Sequence, residues 1–211
     1  MIHIISKLQL SNKGLIVKGT KQEVPLQQGT MDRACAVYSM MMCLIMIRAI
    51  HRNDVVSLND ERIKGNTAKG RLIRNFLYNN GFVRKGFFLS MLCEELSHSY
   101  SKVVQSEYYH LDKNEKEFFS AIIKALENNI PVELGFIRKT TGGHAVIAIG
   151  FEENPKGFLL YIIDPGFSVP LGQYWNNVIQ IEINCGRKYN AFNYRENCFI
   201  QIDEALIIKK K

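Results

Sequence analysis

Residues 142–166, GGHAVIAIGFEENPKGFLLYIIDPG, constrain the fold of this chain more than any other stretch. Two apolar runs, 145–149 and 158–163, flank the turn signal Glu153-Asn154-Pro155-Lys156-Gly157. Short apolar runs bounded by Gly, Asn and Pro read as buried strands, and a turn this tight joins them as an antiparallel hairpin. Counted from a turn centre near Asn154, His144 lies ten residues back and Asp164 ten forward. The register therefore predicts that His144, opening one strand, faces Asp164, closing its partner. An imidazole oriented by a carboxylate is a general base held in one tautomer.

A base needs a group to activate, and QQGTMDRACAVYSMMMCLIMI (residues 27–47) supplies a candidate. The apolar run predicts a helix that begins near Ala34 or Cys35 and extends to about Ile50. A thiol at a helix start is placed where unpaired N–H groups and the macrodipole favour its anion, and only the thiolate is a strong nucleophile. Small neighbours, Ala34 and Ala36, let a substrate backbone come close. Cys43, eight residues on in the same apolar helix, reads as structural, and so do Cys93, Cys185 and Cys198. Ahead of Cys35, the side-chain amide of Gln27 or Gln28 could join the Cys35 backbone N–H in holding an oxyanion. The residues alone leave that choice open. His3, His51, His98 and His110 lie in polar or amphipathic contexts with no comparable surroundings.

Composition narrows the class without naming it. At 211 residues, 46% hydrophobic and 22% charged, the chain is sized for one substantial domain. The excess of 27 basic over 20 acidic residues is scattered, with no basic block interleaved with aromatics, so no nucleic-acid partner is expected. Five cysteines without a CxxC pair or zinc-ligand spacing point to free thiols, with no metal and no cofactor implied. The N-terminus MIHIISKLQL lacks the basic, apolar and small-residue regions of a signal peptide. The most apolar stretch is too short for a membrane span. The expected location is the cytoplasm, or export by a route that leaves no such signal.

Along the chain, two short strands are expected within residues 1–20, around Ser11-Asn12-Lys13-Gly14. A polar approach loop (24–32) leads to the Cys35 helix, and a polar connection covers 51–66. Thr67 caps a second helix with Leu72, Ile73, Phe76 and Leu77 at helical spacing, stopped by Asn79-Asn80-Gly81. A third helix covers 89–97, a strand 102–109, and a fourth helix follows a cap at Asp112 or Asn114. After Pro131 the pattern turns to strands: 131–137, 145–151, 158–163, about 177–183 and 197–208. The expected class is α+β: a helical N-terminal half, its nucleophile helix packed on a C-terminal antiparallel sheet, with a cleft between them. All of residues 1–211 form one domain in this reading, with a helical lobe over about 24–130 and a β lobe over about 131–208 joined by the N-terminal strands.

The order Gln, Cys on a long helix, GGHAVIAIG and YIIDPG resembles papain-like cysteine peptidases. It is most similar to the bacterial branch that contains the bacteriocin leader-processing (double-glycine) peptidases. The resemblance covers residues 24–47 and 131–166. It implies a papain-like fold and a polypeptide substrate, with Cys35 as nucleophile, His144 as base, Asp164 as orienter and Gln28 as oxyanion donor. Two positions depart from the pattern. Ala36 stands where such families usually have glycine, and the Gln to Cys interval is one residue longer than in papain, which leaves both Gln27 and Gln28 open as the oxyanion donor. On the same triad, a deamidase, a transglutaminase-like acyl transferase and an inactive peptide-binding module are the alternatives to hydrolysis.

Overall fold

A computed structural model describes residues 1–29, 33–56, 65–78, 87–112, 114–139 and 142–211. Strands β1 (His3–Ile4), β2 (Leu8–Ser11) and β3 (Gly14–Val17) come first. Helices α1 (Cys35–Met46), α2 (Arg52–Val56), α3 (Ala68–Tyr78) and α4 (Leu89–Ser99) follow. Next are β4 (Val104–His110), α5 (Glu115–Glu127), β5 (Val132–Arg138), β6 (Gly143–Asn154) and β7 (Gly157–Ile163). The chain ends with β8 (Asn177–Glu182), β9 (Ala191–Asn193) and β10 (Cys198–Lys210). The expected helix stop at Asn79-Asn80-Gly81, the end of the approach loop, most of the 57–66 connection and the side chains of Phe76 and Leu77 lie outside the described residues.

The strand pairing corrects the expected architecture. The molecule is not a helical N-terminal half packed on a C-terminal sheet. It is mostly sheet: eight strands join in one sheet, and six of them close into a barrel in the order β6-β5-β10-β9-β8-β7, with β7 pairing back to β6. Every one of these pairings is antiparallel. The five described helices are short. Two strands from the N-terminal half belong to the sheet, β1 on β6 and β4 on β10.

Closure has a physical cause. An open sheet ends in rows of unpaired N–H and C=O groups, and a closed one does not. The 13-residue β10 makes closure possible by changing partners along its length, from β9 at Cys198 to β5 and then β4 at Lys210. One barrel strand and one strand added outside the barrel carry weak sequence signals. β9 has three residues, and β4 (VQSEYYH), which pairs with β10 alone, buries only its first.

Helix α1 is apolar on all sides, and ten of its residues from Ala36 to Met46 are buried. A helix without a polar face must be surrounded by protein, and α1 packs on β5 and β6. It ends at Met46 and not near Ile50, because Arg48 takes a left-handed backbone (φ 58°) and the next N–H groups turn back to the Leu44 and Ile45 carbonyls. The other helix starts follow local chemistry. Thr67 Oγ1 accepts the Gly70 N–H at 3.0 Å. Asn114 Oδ1 accepts the Glu117 N–H at 3.1 Å while its Nδ2 donates to Glu117 Oε2 at 2.8 Å, a reciprocal capping pair. No described helix is long and apolar enough to cross a membrane.

The β6–β7 hairpin forms, with its turn at Pro155-Lys156 between the paired Asn154 and Gly157. An extra residue at Ile149 bulges the ladder, which ends at Ile147 opposite Ile163. Continued, this register would set His144 level with Gly166, two residues beyond Asp164. The expected in-register facing of His144 and Asp164 is therefore corrected, and side-chain reach brings them together.

Candidate active site

Cys35 is the first residue of α1, with Ala34 at the cap position supplying no side-chain hydrogen bond and no acidic residue in the first turn. Among the described residues no acidic side chain lies in that turn, and the Ala36 and Ala145 N–H groups both support the Cys35 sulfur. Burial pushes the Cys35 thiol up, but the hydrogen bond and charge of His144, with those two N–H groups, outweigh it and hold the thiol below its ordinary 9.0. Ala36 is itself buried (1% exposed), so its methyl group points into the core. One helical turn on, Ser39 Oγ donates to the Ala145 carbonyl at 3.3 Å and ties the thiol's helix to the histidine's strand.

His144, second residue of β6, donates from Nε2 to Asp164 Oδ1 at 2.8 Å. That bond leaves Nδ1 for Cys35, with which the ring is also hydrogen-bonded. Phe136, opposite on β5, meets the ring edge-on at 5.5 Å between centroids and holds its plane. Burial opposes the imidazolium, yet the Asp164 and Cys35 partners prevail and push His144 up to about 9. Asp164 is completely buried. Its Oδ1 also accepts the Gly166 N–H at 2.8 Å, an Asx turn that curls the carboxylate back toward the ring. A Cβ on Gly166 would stand 3.1 Å from Asp164 Oδ1, close enough to press on the carboxylate.

The two glutamines separate. Gln28 donates its backbone N–H to the Pro165 carbonyl at 2.8 Å, beside Asp164, and lines the same cleft as Cys35 and His144. Gln27 lines a different cavity, on the far side of Asp164. Cys43 is fully buried, with its thiol pushed well up by burial and by Glu133. Cys93, Cys185 and Cys198 are free thiols outside the cleft.

This geometry coincides with a family assignment. The model of the Peptidase_C39 like family matches residues 17–196, most of the chain. The chain belongs to the Peptidase_C39 like family. A search of curated proteins finds no match.

In this C39-like chain the cleft beside Cys35 has a volume of about 690 Å³. One wall is the Gln28–Cys35 side, and the other is built from β5, β6 and the segment entering α4. Phe88 (68% exposed) and Ile137 (43% exposed) form an apolar lip. Asp203 and Glu204 of β10 stand at the far end, residues that sequence reasoning did not single out. The 167–177 loop does not line the cleft, and its Trp175 meets Tyr161 in a tilted contact at 4.4 Å between centroids.

Sequence reasoning also passed over Glu133. On β5 below Cys35, it is fully buried, and neither carboxyl oxygen has a hydrogen-bond partner. Burial, followed by the Cys35 and Glu204 charges, pushes its carboxyl well above the ordinary 4.5. The shift favours the neutral carboxylic acid, the form that does not oppose a thiolate. The folded protein holds this proton more tightly than the unfolded chain, so folding is favoured at low pH. The advantage falls by about 1.4 kcal/mol per pH unit as pH rises above the ordinary carboxylate range, until folded Glu133 ionises. Glu133→Gln is expected to remove this decline. Urea unfolding of both proteins between pH 5 and 7 checks it, and a constant stability difference across that range would contradict it.

Proposed function

We propose that this chain is a cysteine peptidase that cleaves polypeptides through a Cys35 thioester. The Cys35 thiolate attacks the scissile carbonyl carbon, forming the C–S bond and a tetrahedral oxyanion. The Gln28 side-chain amide and the Cys35 backbone N–H stabilise that oxygen. The His144 imidazolium gives its proton to the leaving nitrogen as the C–N bond breaks. Neutral His144 then takes a proton from water, the hydroxide attacks the thioester, and loss of the thiolate restores the ion pair. Asp164 keeps Nδ1 of His144 facing sulfur and favours the imidazolium.

The observation that carries the reading is the hydrogen-bonded chain from a thiol of lowered pKa through His144 to a buried carboxylate. Family membership supports peptide hydrolysis over other acyl transfers. Incubation with a peptide library, followed by mass spectrometry, is expected to give cleaved products and a Cys35-linked acyl intermediate. Ammonia release without chain cleavage would replace hydrolysis by deamidation. Gln28→Ala is expected to lower kcat by about 10²- to 10³-fold. Gln27→Ala should stay within a few-fold of wild type, and the reverse order in steady-state kinetics would move the oxyanion donor to Gln27.

A further inference from the structure

The loop from Asp164 to β8 is closed by one buried side chain that the mechanism above does not use. Asn176 is 8% exposed. Its Oδ1 accepts the Asp164 backbone N–H at 2.7 Å, and its Nδ2 donates to the Asp164 and Phe167 carbonyls, each at 2.8 Å. Its own backbone N–H donates to the Ile162 carbonyl at 3.1 Å, which anchors it to the end of β7. One carboxamide thus grips the peptide groups on both sides of Asp164 and the end of the turn that follows. Within that turn lies Pro165, whose carbonyl receives the Gln28 N–H.

The three bonds require one acceptor and two donors on a single flat group. Aspartate has no donor to offer the two carbonyls, and an apolar residue would take the partner from the Asp164 N–H and the Phe167 carbonyl and leave the Asp164 carbonyl with the Phe167 N–H alone. Asp164 has no other route to His144, because the β6–β7 ladder stops at Ile147 and Ile163. Its position depends on the turn that Asn176 closes.

We propose that Asn176 is a positioning residue of this site: it holds Asp164 against His144 and, through Pro165, holds Gln28 at the cleft. The inference rests on Cys35, His144 and Asp164 being the reacting set. It adds that the orienting side and the oxyanion side are fixed by the same buried amide.

The test uses the full chain with Asn176→Ala and two readings that need no substrate. One is the titration of the His144 ring by NMR. The other is the rate of iodoacetamide alkylation at Cys35 against pH, followed on its peptide by mass spectrometry. In the variant, the His144 midpoint is expected to fall by about one unit or more from about 9. Cys35 alkylation at pH 6 is expected to slow about tenfold, since each unit of thiol pKa changes the thiolate fraction tenfold below it. Asn193→Ala is the comparison, because Asn193 is equally buried and accepts the Arg195 and Glu196 N–H groups away from Asp164. It is expected to lose stability and leave both readings at wild type.

A folded Asn176→Ala protein with wild-type titration and alkylation would overturn the assignment. So would equal shifts in Asn193→Ala. Should Asn176→Ala not fold, Asn176→Ser, which keeps a smaller donor and acceptor, is read in its place by the same criteria. A wild-type His144 that titrates near its ordinary 6.5 would overturn the reacting set itself and this assignment with it. Absence of peptide cleavage alongside the expected shifts would instead overturn only the peptidase reading.

Discussion

Cys35→Ala is expected to lower peptide hydrolysis on the order of 10⁴- to 10⁶-fold while the protein stays folded. The reason for the loss is that no other thiol can substitute. Cys43 is the only other cysteine on α1, and it is fully buried with its thiol pushed well up. Cys93, Cys185 and Cys198 lie outside the cleft. The reason for retained folding is equally local. Cys35 is partly exposed at the first position of a helix whose packing comes from Ala36 to Met46, and alanine keeps the same Cβ with good helix propensity. Steady-state kinetics on a cleaved library peptide and a thermal melt check the two halves. Turnover above about 1% of wild type would place the nucleophile elsewhere, since a misassigned residue is the only way to keep so much rate.

The second large effect belongs to Asp164→Asn, expected to cost about 10⁴-fold in kcat. The substitution is close to isosteric, so the Asx turn to Gly166 can persist, but the charge that favours imidazolium is gone. With the carboxylate present, His144 is pushed up to about 9 and Cys35 is held below 9.0, so the ion pair spans the window between the two. The kcat/KM profile of the wild type should therefore fall on its alkaline side near pH 9. In Asp164→Asn the His144 value drops toward 6.5 and that limb moves down with it, while the acidic limb moves up, and the window narrows from both sides. Stability follows the same sign. A histidine whose folded pKa is raised contributes stability that is fully present below 6.5 and is lost as pH rises through about 9. Asp164→Asn should remove that contribution, and an alkaline limb unmoved by the substitution would assign it to a group other than His144.

The parts of the site that were legible in the sequence are those set by local pattern. A continuous apolar run beginning at Ala34 can only be a buried helix, and its first residue is then Cys35. Two apolar runs around Asn154-Pro155-Lys156-Gly157 can only be a hairpin, and its open end then holds His144 and Asp164. Neither statement needs a partner elsewhere in the chain. The finer register was not legible: the turn centres between Pro155 and Lys156 instead of near Asn154, which offsets the facing by three residues, and the bulge at Ile149 takes back one. The Asx turn at Asp164-Pro165-Gly166 makes up that difference, so His144 and Asp164 are hydrogen-bonded although the expected register is not the observed one.

Other features depend on contacts between distant segments. Gln27 and Gln28 are adjacent and chemically identical, yet Gln28, bonded to the Pro165 carbonyl 137 residues away in number, lines the cleft and Gln27 lines another cavity. Glu133 reads as a polar position in a strand, and its burial follows from α1 lying over β5. The barrel is the largest case. Periodicity and turn residues act over a few positions, and they specified the Cys35 helix and the hairpin that carries His144 and Asp164. Closure of the sheet is a nonlocal event that satisfies edge hydrogen bonds, and it recruits a segment as short as β9 because β10 and β8 offer it unpaired backbone.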